Sequence, residues 1–295
     1  MSFAYREVVV SGTRDGVEGT SQCINEITDV MVNQMGWVLE DDRRAQAGSS
    51  NETLTHKVVF KSNLGESNDQ PNWYMTITSG TGSAQRNNFL SFKIHSAYDV
   101  GTHDTAATGV ETPSTISTLT LPTDSDGNIV LWISGDKDGI ALVTNSRSVY
   151  GHALVGRSQH FVDNSIEPFG LYINTSTDVN PATLSCRSIA GEPPQAFQNV
   201  SEGEILSYPF STTHEPRMGL GSPEAFFTAM PLMHMTDDAS PSIRKGAIGL
   251  ISGAWSCAPT GAGWVKETVI TVSGSPDREY VAFPTTTNGL VIRKS

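Results

Sequence analysis

The sequence predicts a mainly β protein of antiparallel sheets in a sandwich-like arrangement, with one N-terminal amphipathic helix packed on a sheet and only minor α+β character. Three observations predict it. Between residues 56 and 161, apolar and polar residues alternate in short runs separated by turn formers, the period-two pattern of half-buried strands. One stretch, residues 20–36, has helical spacing instead. Residues 246–295 return to strand patterning. No fixed-period repeat runs through the chain, which argues against a propeller or solenoid.

Taken in order, "YREVVV" reads as a short opening strand, closed by the turn residues of "SGTRDG". In "TSQCINEITDVMVNQMGW" the residues Ile24, Ile27, Val30, Met31 and Met35 make one apolar stripe; Thr20 or Ser21 is expected to cap the start and Gly36 to close the end. "GWVLEDDRR" follows as a strand with Trp37 and Leu39 on alternate positions, and "AQAGSSNETLT" as a loop. Strands are then expected at "HKVVFKS", "WYMTITS", "FLSFKIHSAY", "NIVLWIS", "GIALVTNS" and "YGHALVGRS". Residues 163 to 245 read as long, irregular, Pro-bearing segments suited to contacts with neighbours. The organisation expected is a helix-plus-sheet β domain over 1–162. Residues 163–295 complete the same fold or form a second small β domain.

Composition narrows the function classes. A chain of 295 residues is long enough to bury roughly 75% of its unfolded surface without metal or disulfide staples. Its aromatic residues and 17% charged content are not those of a disordered chain. The net charge of −12 argues against gripping nucleic acid through its phosphates, since basic residues cluster only at Arg43-Arg44, Arg244-Lys245 and Arg293-Lys294. Cys23, Cys186 and Cys257 match no zinc or redox spacing and read as free, small hydrophobes. No secretory signal pattern opens the chain, and no run approaches the roughly 18 apolar residues of a membrane span, so a soluble protein made in a cytosol is expected.

The residues capable of chemistry also suit structural roles. In "DSDGNIVLWISGDKDGIALVTNS", Asp124 and Asp136 each open an Asp-x-Asp-Gly. A helix-loop-helix calcium loop needs Gly at position 6 and Glu at 12; here Gly comes fourth, and the twelfth residues are Gly135 and Arg147. Asp126-Gly127 and Asp138-Gly139 instead suit hairpin turns, because Asp and Gly tolerate positive φ. His95 and His103 with Asp99 and Asp104 concentrate metal-ligand types in "HSAYDVGTHD", although a solvated loop explains them more economically. Of the other histidines, His56, His152, His160, His214 and His234, none forms an HExxH; His152 reads as a structural strand histidine. "GLGSPEA" is not a nucleophile elbow, "SGTGSAQ" is not a P-loop, and the pairs Asp41-Asp42 and Asp237-Asp238 are ordinary in an acidic chain. Trp73, Tyr74, Trp132, Trp255 and Trp264 are the residues for a sugar-stacking face, with Trp132 expected in the core. No catalytic residue, no metal ligand and no cofactor is expected.

The arrangement of these segments resembles virion structural proteins of tailed bacteriophages. The resemblance is carried by the helix ending in "MGWVLEDD", by "HKVVFKSNLGESNDQPNWYMTI", by "NIVLWISGDKDGIALVTNSRSVYGHALVGRSQHF", and by the Tyr-x-x-Phe of "REYVAFPTTTNGLVIRKS". It implies a non-enzymatic neck, collar or tail subunit, assembled as a homo-oligomeric ring around the DNA passage and contacting other virion proteins. No membrane and no specific nucleic-acid contact is implied, with DNA passing nearby; the location is the virion, after synthesis in the host bacterial cytoplasm. The alternative is a glycan-binding, adhesive β-sandwich of a tail tip or baseplate. A hydrolase assembled from residues distant in sequence is a third reading.

Overall fold

The computed structural model describes residues 3–11, 17–44, 56–63, 74–81, 88–95, 98–103, 117–121, 126–146, 149–160, 169–174, 184–185, 205–207, 227–236, 243–257, 267–284 and 289–295. The helical stripe forms α1, Val17–Asp29, and runs on as a wider π-type turn over Val30–Met35. It starts before the expected caps, so Thr20 and Ser21 lie inside the helix, and Thr20 is buried there. Propensity marked both as start signals, but packing decides where the first turn forms. The other end closes as its glycine requires. Gly36 is left-handed at φ 86°, its N–H donates to the Met31 carbonyl, and the Trp37 N–H reaches the same oxygen at 2.9 Å.

The strands are β1 (Ala4–Ser11), β2 (Val38–Asp42), β3 (Lys57–Lys61), β4 (Tyr74–Thr81), β5 (Asn88–His95), β6 (Ser117–Leu121), β7 (Asn128–Asp136), β8 (Gly139–Ser146) and β9 (Val149–His160). They continue as β10 (Phe169–Asn174), β11 (Leu184–Ser185), β12 (Ile205–Ser207), β13 (Phe227–Thr236), β14 (Ile243–Cys257), β15 (Thr268–Val272), β16 (Arg278–Pro284) and β17 (Gly289–Arg293). All pairing is antiparallel among the described strands. β2 to β6 form a five-stranded meander; the larger sheet runs β1-β7-β8-β9-β14-β17-β16-β15, with β10 to β13 branching from it. The expected mainly β fold with one helix is what forms.

Two parts of the chain differ from expectation. "STLTL" within a Thr- and Ser-rich stretch is β6, an edge strand whose Leu119 and Leu121 are buried. Residues 163–245, expected to be irregular, contain β10 to β13 and the start of β14. β13 carries Pro231 inside it, where a Pro normally argues against a strand; the register shifts between Ala229 and Pro231, and such an irregularity is where a sheet accommodates a missing N–H. β14 joins β9 through Gly249–Ile251, so strands on both sides of residue 163 belong to one sheet.

The helix fills the space between the sheets. Ile24, Ile27, Val30, Met31 and Met35 are fully buried in one apolar cluster with Val58, Phe60, Met75, Ile77, Leu90 and Phe92 from the smaller sheet. The same cluster takes Val8 and Val10 of β1 and Leu131, Ile133, Ile140, Leu142 and Val155 of β7 to β9. Its stripe therefore meets both sheets, and each fully buried Ile or Met contributes roughly 1.5–3 kcal/mol. Arg6 on β1 ties the rim, pairing with Glu26 and Asp29 of α1, both at 2.7 Å.

The larger sheet curls so that its C-terminal ribbon covers the rear of β7. The Trp132 and Phe283 rings stand 4.9 Å apart, and the Ser134 hydroxyl donates to the Arg293 carbonyl at 2.6 Å. The Arg293 guanidinium lies 4.2 Å from the Phe3 ring centre. Burial, with the charges of Glu7 and Glu267 adding, raises the Tyr5 pKa to about 12.

Candidate functional site

The densest convergence of ionisable groups among the described residues gathers around Asp41. β2 shifts register between Leu39 and Asp41, leaving Glu40 as an extra residue that turns the Asp41 side chain onto the outer face of the smaller sheet. There it is 8% exposed. The segment 98–103 crosses above it: the Tyr98 hydroxyl donates to Asp41 Oδ2 at 2.5 Å, and His103 Nδ1 donates to the same oxygen at 2.9 Å. Lys57 donates to the His103 carbonyl at 2.8 Å, with its ammonium 5.1 Å from the Tyr98 ring centre.

The local sequence explains this crossing. Asp99 folds the segment by accepting the Gly101 N–H at 2.8 Å, an Asx turn, and His103 takes the left-handed conformation at φ 56°. A non-glycine residue there is uncommon, and its ring bond to Asp41 with its carbonyl bond to Lys57 holds it. Burial pushes the Asp41 carboxyl toward higher pKa, but the hydrogen bonds from Tyr98 and His103 and the charges of His103 and Lys57 outweigh it, so its pKa is lowered. The carboxylate is therefore ionised and accepts from both partners. Chemically this is an acid–histidine pair with Nε2 left over, the arrangement that orients a general base. No hydroxyl or thiol among the described residues donates to that nitrogen; the bonds to Asp41 and Lys57 fasten the segment to β2 and β3.

The other sequence candidates separate. His103 and Asp99 share this segment, but Asp99 bonds Gly101 while Asp41 takes the histidine; the His95 side chain and Asp104 lie outside the described residues. Asp42 is not paired with Asp41: it faces away and binds Arg44, whose Nε donates to it at 2.8 Å. Asp237-Asp238, His214, "GLGSPEA", Trp73 and Trp264 also lie outside the described residues, as does the loop 45–55. Asp136 and Asp138 sit at the β7–β8 hairpin, where Asp136 Oδ1 accepts the Asp138 N–H at 2.8 Å and the Asp136 carbonyl accepts the Trp37 indole N–H at 2.9 Å.

Gly139 there needs space rather than positive φ: it is not among the left-handed glycines, and a Cβ on it would stand 2.8 Å from the Val155 carbonyl oxygen. Trp132 is buried as expected, and Trp255 packs edge-on against Tyr280 at 5.1 Å. Tyr74 is half-buried, 6.3 Å from the Tyr98 ring and 5.8 Å from the Lys61 ammonium. Cys23 is a free, buried thiol, its pKa pushed up to about 12 by burial and by Glu26.

Sequence reasoning missed Asp41, Tyr98 and Lys57 as a unit. The concentration of polar ligand types in "HSAYDVGTHD" was the available signal, and it located the segment without its acidic partner. No protein-family model matches the chain, and no curated protein matches it.

Proposed function

We propose that this chain is a non-enzymatic structural subunit of a tailed-phage virion, a neck, collar or tail protein that assembles as a ring with copies of itself and contacts other virion proteins. The identity of the assembly comes from the resemblance in sequence layout. The observation that carries a subunit role is where four of the five exposed large apolar side chains among the described residues lie; the fifth, Val100, is on the segment 98–103. Val9 (60% exposed) is on β1, Val38 (41%) on β2, and Val269 (47%) and Val272 (43%) on β15. Each of these strands ends its sheet. Edge strands with exposed β-branched residues are templates for adding a neighbour's strand.

The polar clusters support the same reading, since Asp41, Asp136 and Arg6 each hold one element against another. The test is the solution mass of the full chain by light scattering at rising concentration, alone and with candidate virion proteins. A closed ring, alone or with a partner, is the expected result. A monomer that never assembles overturns the proposal, and glycan binding by that monomer would turn the assignment to the adhesive class. Asp41→Asn is expected to lower stability by about 1–3 kcal/mol, the range for disrupting a buried, bonded polar group, and to leave assembly intact if the segment keeps its place.

A further inference from the structure

Among the sheet ends that carry exposed valines, β15 differs in chemistry. β1 carries Arg6 and Glu7, and β2 carries Glu40, Asp41 and Asp42, whereas β15 reads Thr-Val-Ile-Thr-Val, with no charge and no Pro. Sheet edges are ordinarily blunted by charges, Pro or a covering element; β15 has neither charge nor Pro, and its residues Val269, Thr271 and Val272 are exposed. Exposure continues unbroken from Thr271 to Arg278, so the end of β15 and the turn into β16 stand out from the body.

The ribbon is firm. Gly274 donates to Asp277 Oδ1 at 2.8 Å across the turn, Lys294 pairs with Glu279 at 3.1 Å, and Ile270 sits in a small cluster with Tyr280, Ala282 and Val291. A preformed edge loses little conformational freedom on pairing.

Charge selects the occupant. Exposed Glu267 stands just before β15, and exposed Arg278 is the register partner of Val272 at its other end. Antiparallel pairing of β15 with β15 of a second copy brings the Glu267 end of each against the Arg278 end of the other; parallel pairing sets like ends together. The strand between is uncharged, so a chain of net charge −12 meets itself there with acidic side chains apposed only at the ends, where Glu267 of one copy comes near exposed Asp277 as well as Arg278 of the other. We propose that β15 is a self-pairing edge, adding antiparallel to β15 of a second copy over Val269–Val272 in a two-fold contact that continues the larger sheet into the next subunit. This rests on the self-association proposed above and names its surface; a two-fold contact closes on itself, so a ring needs a second, head-to-tail contact elsewhere.

The test uses the full chain. Light scattering is expected to show dimers, or assemblies built of dimers. Val269→Lys with Val272→Lys is expected to weaken the association by about tenfold or more, since like charges then face each other across the strand pair. Its thermal melt should match the parent's, because both side chains point to solvent. A second variant, Val269→Cys with Val272→Cys, Cys186→Ser and Cys257→Ser, is expected to join two copies through residue 269 of one and 272 of the other, which this pairing brings within reach of each other, when treated with a short bismaleimide, as read by the mass of the linked chains and of their peptides. Unchanged assembly of the lysine variant, or assembly with no 269–272 link between copies, overturns the self-pairing edge and leaves the ring reading standing. A parent that stays monomeric at every concentration and with every virion partner overturns both.

Discussion

The central strands β7, β8 and β9 are buried on both faces, yet the two faces are built from different chemistry. The front face presents Ile129, Leu131, Ile133, Ile140, Leu142, Ala153 and Val155 to the helix-filled cluster. The rear face presents Trp132, Ser134, Ala141, Val143, His152 and Leu154, also buried, and meets the C-terminal ribbon through the Trp132–Phe283 contact and the Ser134–Arg293 bond. The front is sealed by non-directional burial and tolerates any apolar partner of the right shape. The rear also buries polar groups, which stabilise the fold only when bonded. The ribbon's position is accordingly specified by a few directed contacts, and the front by volume.

Four measurements sharpen or break this contrast, taken from the largest effect to the smallest. Trp132→Ala is expected to cost about 3–5 kcal/mol, and Ile27→Ala on the front about 2–5 kcal/mol. The pattern should differ as well as the size. Amide exchange in Trp132→Ala should rise first in β16 and β17, while in Ile27→Ala it should rise across both sheets. Equal, global loosening in both variants would break the distinction.

Acid is the second probe. Burial lowers the His152 pKa to about 4 from 6.5, so the folded state keeps the ring neutral while the unfolded chain protonates first. Its contribution is complete above pH 6.5 and is lost as pH falls toward about 4, on the order of 3 kcal/mol in all at about 1.4 kcal/mol per pH unit. Urea midpoints measured across that window should fall steeply for the parent and less steeply for His152→Leu. The same slope in both would show that the rear face does not hold this ring neutral.

The third concerns how closely the backbones approach. Gly135 and Gly139 lie where β7 turns into β8, and a Cβ on Gly135 would stand 2.2 Å from the Gly139 carbonyl oxygen. Gly139→Ala should cost about 1–3 kcal/mol; an unchanged melting temperature would mean the hairpin yields without loss. The smallest effect is at the rim: Arg6→Ala should cost no more than about 1 kcal/mol, with a dependence on salt, because its pairs with Glu26 and Asp29 are partly exposed.

The legibility of these features follows the range of the forces behind them. The helix is set by residues within a few positions of each other, so Ile24 to Met35 announce it and Gly36 announces its end. The strands with strict alternation, such as "KVVF" and "YMTI", are equally local. β6 was hidden because only Leu119 and Leu121 carry its apolar face, and it becomes a strand by pairing with β5. β13 was hidden by Pro231, whose missing N–H is absorbed where the register shifts. In the Asp41 cluster, the carboxylate and His103 lie 62 positions apart. Their meeting depends on the extra residue at Glu40 and on the left-handed His103, neither of which has a spacing signature.

By itself the sequence determined the mainly β class, the one helix and its stripe, the closing glycine, and the hairpin at Asp136–Gly139, since each depends on local dihedral preference and on a period of 3.6 or 2. Only the tertiary structure decided that the stripe meets two sheets, that the sheet curls until Phe283 packs at a tilt against Trp132, that Asp41 holds both Tyr98 and His103, and which strands end their sheets with valines exposed. Those outcomes depend on which distant surfaces exclude water together, and a one-dimensional pattern carries the tendency to be buried without naming the partner that does the burying.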